Sequence, residues 1–196
     1  MDSNKKFFST YNMAVIAMGA VIITICSWLS FNFGEVPFTL QTFAIFAILM
    51  LLGGKRGTVA IIVYLLMGLV GLPVFAGFKG GAQSLVGPTG GFLVGFIAVG
   101  ILYWLLADVL LTKLKEAFPD KRAVRMIMSF IICVICLALL YVFGTVWFVQ
   151  IYTSDSGKAS YATALSWCVT PFIIPDLVKT ALAVIVADRT SFAIKK

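Results

Sequence analysis

The stretch PFIIPDLVKTALAVI, residues 171–185, sets an aspartate and a lysine three positions apart inside an otherwise apolar run. If this segment sits in lipid, each charge costs about 2.5–3.5 kcal/mol near the middle of a membrane helix, and something must offset that. At a spacing of i and i+3, Asp176 and Lys179 share one helical face and can neutralise each other. Intramembrane ionisable residues mark functional sites by default, so the preferred reading is that the pair faces a polar pocket and binds a ligand, with the purely structural pair as the alternative. Pro171 and Pro175 each remove a backbone donor, which predicts a kinked or unwound segment just where Asp176 begins.

The rest of the chain says which solvent applies. Of 196 residues 61% are hydrophobic and 12% charged, and the mean hydropathy of +1.06 is outside the range of a soluble domain. Charge-free runs extend from Phe7 to Gly34, Val36 to Gly54, Gly57 to Phe78, Gly80 to Ala107, Met126 to Ser154 and Ala159 to Pro175. A hydrocarbon core roughly 30 Å thick takes roughly 20 helical residues, so each run is about one span. The reading is an all-α integral membrane protein: a six-transmembrane-helix bundle forming one domain over residues 1–196. The spans are expected at about 9–30, 40–53, 57–72, 90–112, 124–150 and 162–188. Runs this long argue against a β-barrel, whose strands alternate over about ten residues. The first follows Lys5 and Lys6 as a signal peptide would, but it is too long and lacks a small-x-small cleavage site, so it reads as a retained helix.

Of the 15 lysines and arginines, all but Lys79, Lys158 and Lys179 fall on one side of this arrangement. By the positive-inside rule that side, with both termini, is cytoplasmic. The net charge of +7 thus follows from topology, and nucleic acid is not an expected partner. Cys26, Cys133, Cys136 and Cys168 lie in apolar runs, and no histidine is present. The C-x-x-C at Cys133 and Cys136 therefore reads as buried thiols in preference to a redox or metal centre. No phosphate-binding G-x-x-x-x-G-K-[ST] appears, so energy for any transport comes from elsewhere.

Three segments on the opposite side carry the remaining chemistry. In EVPFTLQTF, Glu35 to Phe43, Thr39 and Gln41 offer hydrogen bonds and Phe38 and Phe43 apolar walls; spacing alone favours a plain turn with Thr39 capping the second helix, and the other two segments on this side complete a site. The glycine-rich segment Gly71 to Gly91 is longer than a turn needs, which suggests a lid or pocket wall. Within it Lys79 either points to solvent or closes over an anionic ligand; Gln83 and the following Phe92 are further candidates. Trp147 either lines the pocket or anchors at the membrane interface, as Trp167 is expected to. Together these groups suit a small ligand with a carboxylate at one end and a polar ring at the other. On the first span Ala14, Ala17, Gly19 and Ala20 form a small-residue surface for close helix packing, within the bundle or with a partner.

VPFTLQ, GLPVFAG, GPTGGF with Gly95-Phe96, Gly144-Thr-Val-Trp147 and IPD-x-x-K at Ile174 to Lys179, in this order, resemble the BioY family. Those proteins are the biotin-binding S components of energy-coupling-factor (ECF) transporters. The resemblance covers nearly the whole chain. It implies six helices in a bacterial cytoplasmic membrane and capture of biotin as transported ligand, with no cofactor and no catalysis. It further implies a membrane coupling (T) component and two cytoplasmic ABC-type ATPases as partners. Asp176 and Lys179 would then be ligand residues, with Ala14, Ala17 and Ala20 near the docking surface. The strict alanine-x-x-x-alanine spacing is absent, since Met18 follows Ala14 and Val21 follows Ala17. Some relatives carry a neutral residue where Lys79 stands and an arginine where Leu93 stands. The competing readings are a proton-coupled carrier with Asp176 and Lys179 as relay, and a thiol oxidoreductase using Cys133 and Cys136.

Overall fold

The first helix, α1 (Thr10–Trp28), begins where the Ser9 hydroxyl accepts the Asn12 amide at 3.3 Å, an ordinary N-cap. The computed structural model describes residues 9–32, 36–111, 122–156 and 161–194. Lys5, Lys6, Glu35, Lys113, Lys115, Lys121, Lys158, Lys195 and Lys196, used above to orient the chain or frame the site, lie outside them.

After α1 the chain forms a small antiparallel hairpin, β1 (Ser30–Asn32) and β2 (Pro37–Thr39), with Phe31 opposite Phe38. The sequence reading expected no strand here. Pro37 holds its own φ in a range that an extended strand accepts, and the short segment pairs back on the one before it. Helix α2 (Gln41–Leu52) follows, then α3 (Gly54–Leu69), with Gly53 at φ 80° as the sole connection. A 3-10 turn (Ala76–Phe78) and the short α4 (Ala82–Val86) lead into α5 (Gly90–Leu106), which continues as a π-helical turn over Ala107–Leu111. The last elements are α6 (Arg122–Ser156), α7 (Tyr161–Cys168) and α8 (Ile173–Ile194).

Two spans differ from expectation. The fifth runs to 35 residues as α6. The sixth is two helices, α7 and α8, bent by 46° across a break. Pro171 lies in that break, where the amides of Val169 and Thr170 both turn onto the Leu165 carbonyl at 3.1 and 3.0 Å. Pro175 does not contribute to it. It occupies the first turn of α8, where a backbone N–H has no acceptor within the helix and its loss is harmless.

Helix α2 is only twelve residues, about 18 Å long, and lies at the centre, with Ala44, Ile45, Phe46 and Leu49 wholly buried. It packs on α8 and α3, while α1 lies against α3 and α5 against α6. A second, smaller cluster joins Phe148 and Val149 of α6 to Ala164 and Cys168 of α7. Outward faces are apolar: Met18, Val21 and Ile25 on α1, Ile131 and Ile135 on α6, Val178 and Leu182 on α8 are all exposed. Asp176 and Lys179 of α8 are instead buried within, an arrangement a bilayer favours and water does not. Among the described residues α1 and Arg122–Tyr152 are long and apolar enough to cross a membrane; α7 and α8 taken together make a third, and α2 and α5 are shorter apolar helices.

Candidate ligand-binding site

At the end of the bundle bearing the hairpin and the glycine-rich loop is a cavity of about 800 Å³. That volume is in the range of small-molecule sites, roughly 300–1,000 Å³. The hairpin, the start of α2, the loop, the first turns of α5, the middle of α6 and the α7–α8 break all contribute to its walls.

Its floor is charged. Lys179 Nζ donates to Asp176 Oδ1 at 2.8 Å, and both side chains are 6% exposed. The other carboxylate oxygen accepts from the Tyr141 hydroxyl at 2.7 Å. Lys179 also stands 3.7 Å above the Phe38 ring, which is stacked on Phe172. Cation–π contact and ion pair together offset the burial of this ammonium. The break at Pro171 places Asp176 in the first turn of α8, a position that favours negative charge. The Thr180 hydroxyl returns to the Asp176 carbonyl at 2.7 Å.

Beside the floor, Gln41 Nε2 donates to the Tyr64 hydroxyl at 2.8 Å, which donates to Ser27 Oγ at 3.3 Å. This chain of bonds fixes the Gln41 amide, whose carbonyl oxygen is left for the cavity. Thr39 lines the cavity and is not the N-cap of α2, which is Leu40; its Oγ1 accepts the Gln41 backbone N–H at 3.2 Å.

Of the residues anticipated from the sequence, Thr39, Gln41, Lys79, Gln83, Phe92, Asp176 and Lys179 line the cavity. Phe38, Phe43 and Trp147 do not; Phe38 instead packs its ring against the Lys179 ammonium and Phe172. Phe43 is the third residue of α2 and packs against the core. Trp147 instead secures the loop from behind: its Nε1 donates to the Gly87 carbonyl at 3.1 Å, and its side chain is packed so closely on α5 that only glycine fits at position 91. On α1, Ala14 and Ala17 are exposed, but Ala20 is wholly buried in the bundle and cannot belong to a docking face. The helical period carries Ala20 to the side facing α3, beside Gly19, whose Cα lies against Ala60. Trp167 is partly exposed and meets Tyr152 edge to face at 5.9 Å.

Sequence reasoning missed Tyr141, Phe75, Phe78 and Phe172, all on the cavity wall. A signal existed for Tyr141, because a phenol in a membrane helix needs a partner for its hydroxyl. Cys133 and Cys136 are free and wholly buried in the core, which removes the exposed dithiol that an oxidoreductase requires.

A helical bundle with apolar outer faces, closed around a cavity of small-molecule size with a buried ion pair at its floor, defines a membrane-embedded binding protein. Its sequence places it more narrowly. The chain belongs to the BioY family, which it matches over residues 1–196. It is 41% identical over 168 residues to the biotin transporter BioY of Thermotoga maritima, covering 86% of this chain and 88% of that one. It is 36% identical over 176 residues to the biotin transporter BioY2 of Lactococcus lactis subsp. cremoris, covering 89% and 87%. In structure it is similar to the S-component for biotin from an ECF-type ABC transporter, with a TM-score of 0.74 at 28% identity, covering 97% of this chain and 94% of that one.

Proposed function

We propose that this protein takes up biotin as the S component of an ECF-type transporter, acting as a binding subunit with no covalent chemistry. The observation that carries this reading is the buried Asp176–Lys179 pair, extended by Tyr141, on the wall of the cavity of a BioY-family chain. A ureido ring presents two N–H donors and one carbonyl. A carboxylate has about four acceptor positions and the ammonium three donors, so after pairing with each other both keep capacity for such a ring. The aromatic walls from Phe75, Phe92 and Phe172 suit the apolar remainder of the molecule.

The rest of the assignment extends from the same reading. The chain forms one domain of six spans, with the shorter helices α2 and α3 crossing a bilayer thinned or covered by neighbours, and both termini cytoplasmic. It resides in a bacterial cytoplasmic membrane and works with a coupling component and two ATPases, which supply the energy that the chain has no nucleotide-binding motif to obtain.

Equilibrium binding of labelled biotin to the purified full-length protein tests the assignment, with Asp176→Asn and Lys179→Met in parallel. Each variant is expected to bind at least about tenfold more weakly, or about 1.4 kcal/mol. No binding by folded wild type refutes the function, and unchanged affinity in both variants refutes the site.

A further inference from the structure

Among its described lining residues the charges of the cavity wall do not balance. The ionisable side chains among its described lining residues are Lys79, Asp176 and Lys179. Asp176 and Lys179 neutralise each other, whereas among the described residues no carboxylate pairs with Lys79. Among the described lining residues one positive charge, that of the exposed Lys79, is therefore left without a carboxylate partner.

The backbone that presents Lys79 is unusual. Phe75 N–H donates to the Lys79 carbonyl at 2.9 Å, closing a turn through Gly77 at φ 68° and Phe78 at φ 57°. Left-handed backbone is ordinary for glycine but unfavourable for a residue with a bulky ring, and it persists only where surroundings hold it. The holding group is on α1. The Trp28 indole stacks on the Phe78 ring at 5.1 Å, and its Nε1 donates to the Pro73 carbonyl at 2.7 Å. Trp28 is not itself on the cavity wall; it grips the turn from outside.

We propose that Lys79 offers its ammonium to the carboxylate of the ligand, selecting the acid over its neutral amide, and that Trp28 is the positioning residue holding Lys79 over the mouth. The inference rests on the biotin reading above and assigns opposite ends of the ligand: ureido ring on the buried floor, carboxylate at the exposed rim. Because Lys79 is exposed, solvent screens the attraction and its effect is modest, about fivefold in affinity and sensitive to salt.

The test measures equilibrium binding and dissociation of biotin and of biotin amide, using full-length protein in detergent. Wild type is expected to prefer the acid. Lys79→Met loses about fivefold for biotin and nothing for the amide, and added salt weakens biotin binding in wild type but not in the variant. Trp28→Phe, which keeps a stacked ring but loses the N–H bond, speeds biotin dissociation and narrows the preference for acid over amide. Trp28→Leu does so further; should it not fold, Trp28→Phe carries the test. A Lys79→Met variant that weakens acid and amide equally overturns the charge assignment. Unchanged dissociation and unchanged preference in the Trp28 variants overturn the positioning role. Failure of the biotin reading itself is distinguishable, because wild type would then bind neither ligand.

Discussion

The cavity's floor and its mouth are built on opposite physical terms. The floor is made of side chains from two long helices, and every polar atom of the Asp176–Lys179–Tyr141 group that is buried there has a partner. The mouth is made of loop backbone held in a left-handed conformation by one exposed aromatic stack. The floor depends on low dielectric, so disturbing it affects folding and binding together. The mouth depends on a local latch, so disturbing it affects ligand exchange with little loss of stability.

The largest effect that would sharpen this contrast is at the floor. Asp176→Ala leaves Lys179 buried without its counter-charge and is expected to lower stability by about 3–5 kcal/mol, read by unfolding in detergent. Removing both charges, as Asp176→Ala with Lys179→Met, recovers most of that loss, because two absent charges cost less than one unpaired. The next effect falls where the mouth meets the core. A Cβ at Gly68 would be 1.9 Å from the Phe75 ring, so Gly68→Ala must displace the ring that anchors the turn, at a cost of about 1–3 kcal/mol. Biotin dissociation from that variant should also quicken.

Smaller changes separate the two regions further. Tyr141→Phe deletes one hydrogen bond to a carboxylate and should weaken biotin binding by about 1.5 kcal/mol, seen as a roughly tenfold rise in Kd. Phe78→Gly is the smallest in stability. It relieves the left-handed backbone, worth about 1–2 kcal/mol, and removes a ring stack worth about 0.5–1.5 kcal/mol, so unfolding moves little while biotin leaves faster. A Phe78→Gly protein that unfolds as readily as Asp176→Ala would break the comparison.

How much of this was legible in the sequence follows from the same contrast. Asp176 and Lys179 stand out because charge in an apolar run is expensive, and their helical spacing places them together. Their partners across the bundle were hidden. Tyr141 comes from a helix 35 residues earlier, and nothing local indicates which face of α6 meets α8. Helix existence was readable from apolar run length, but the break between α7 and α8 was only half readable. Two prolines four positions apart look alike in sequence, and their different effects depend on where the helix begins. Phe43 and Trp147 illustrate a different failure. Both are near the site in sequence, yet two residues of helix turn Phe43 away from the Gln41 face onto the core, and the Trp147 indole binds the Gly87 carbonyl. Ala20 failed in the same way, since a small-residue stripe does not reveal whether it faces a partner or its own bundle.

The connection of a single glycine between α2 and α3 has a consequence for protein engineering. With only Gly53 joining them, the two helices form a hairpin without slack, and a side chain at this left-handed position is strained even though no neighbour crowds it. An epitope tag, a protease site or a split point inserted there would pull directly on the central helix that carries Gln41 to the cavity wall. The glycine-rich loop at the opposite end has length to spare, but Phe75, Phe78, Lys79, Gln83 and Thr89 along it all line the cavity. Neither connection is therefore a neutral place to add sequence, and the two fail for different reasons: one for want of length, the other because an insertion would shift residues of the cavity wall.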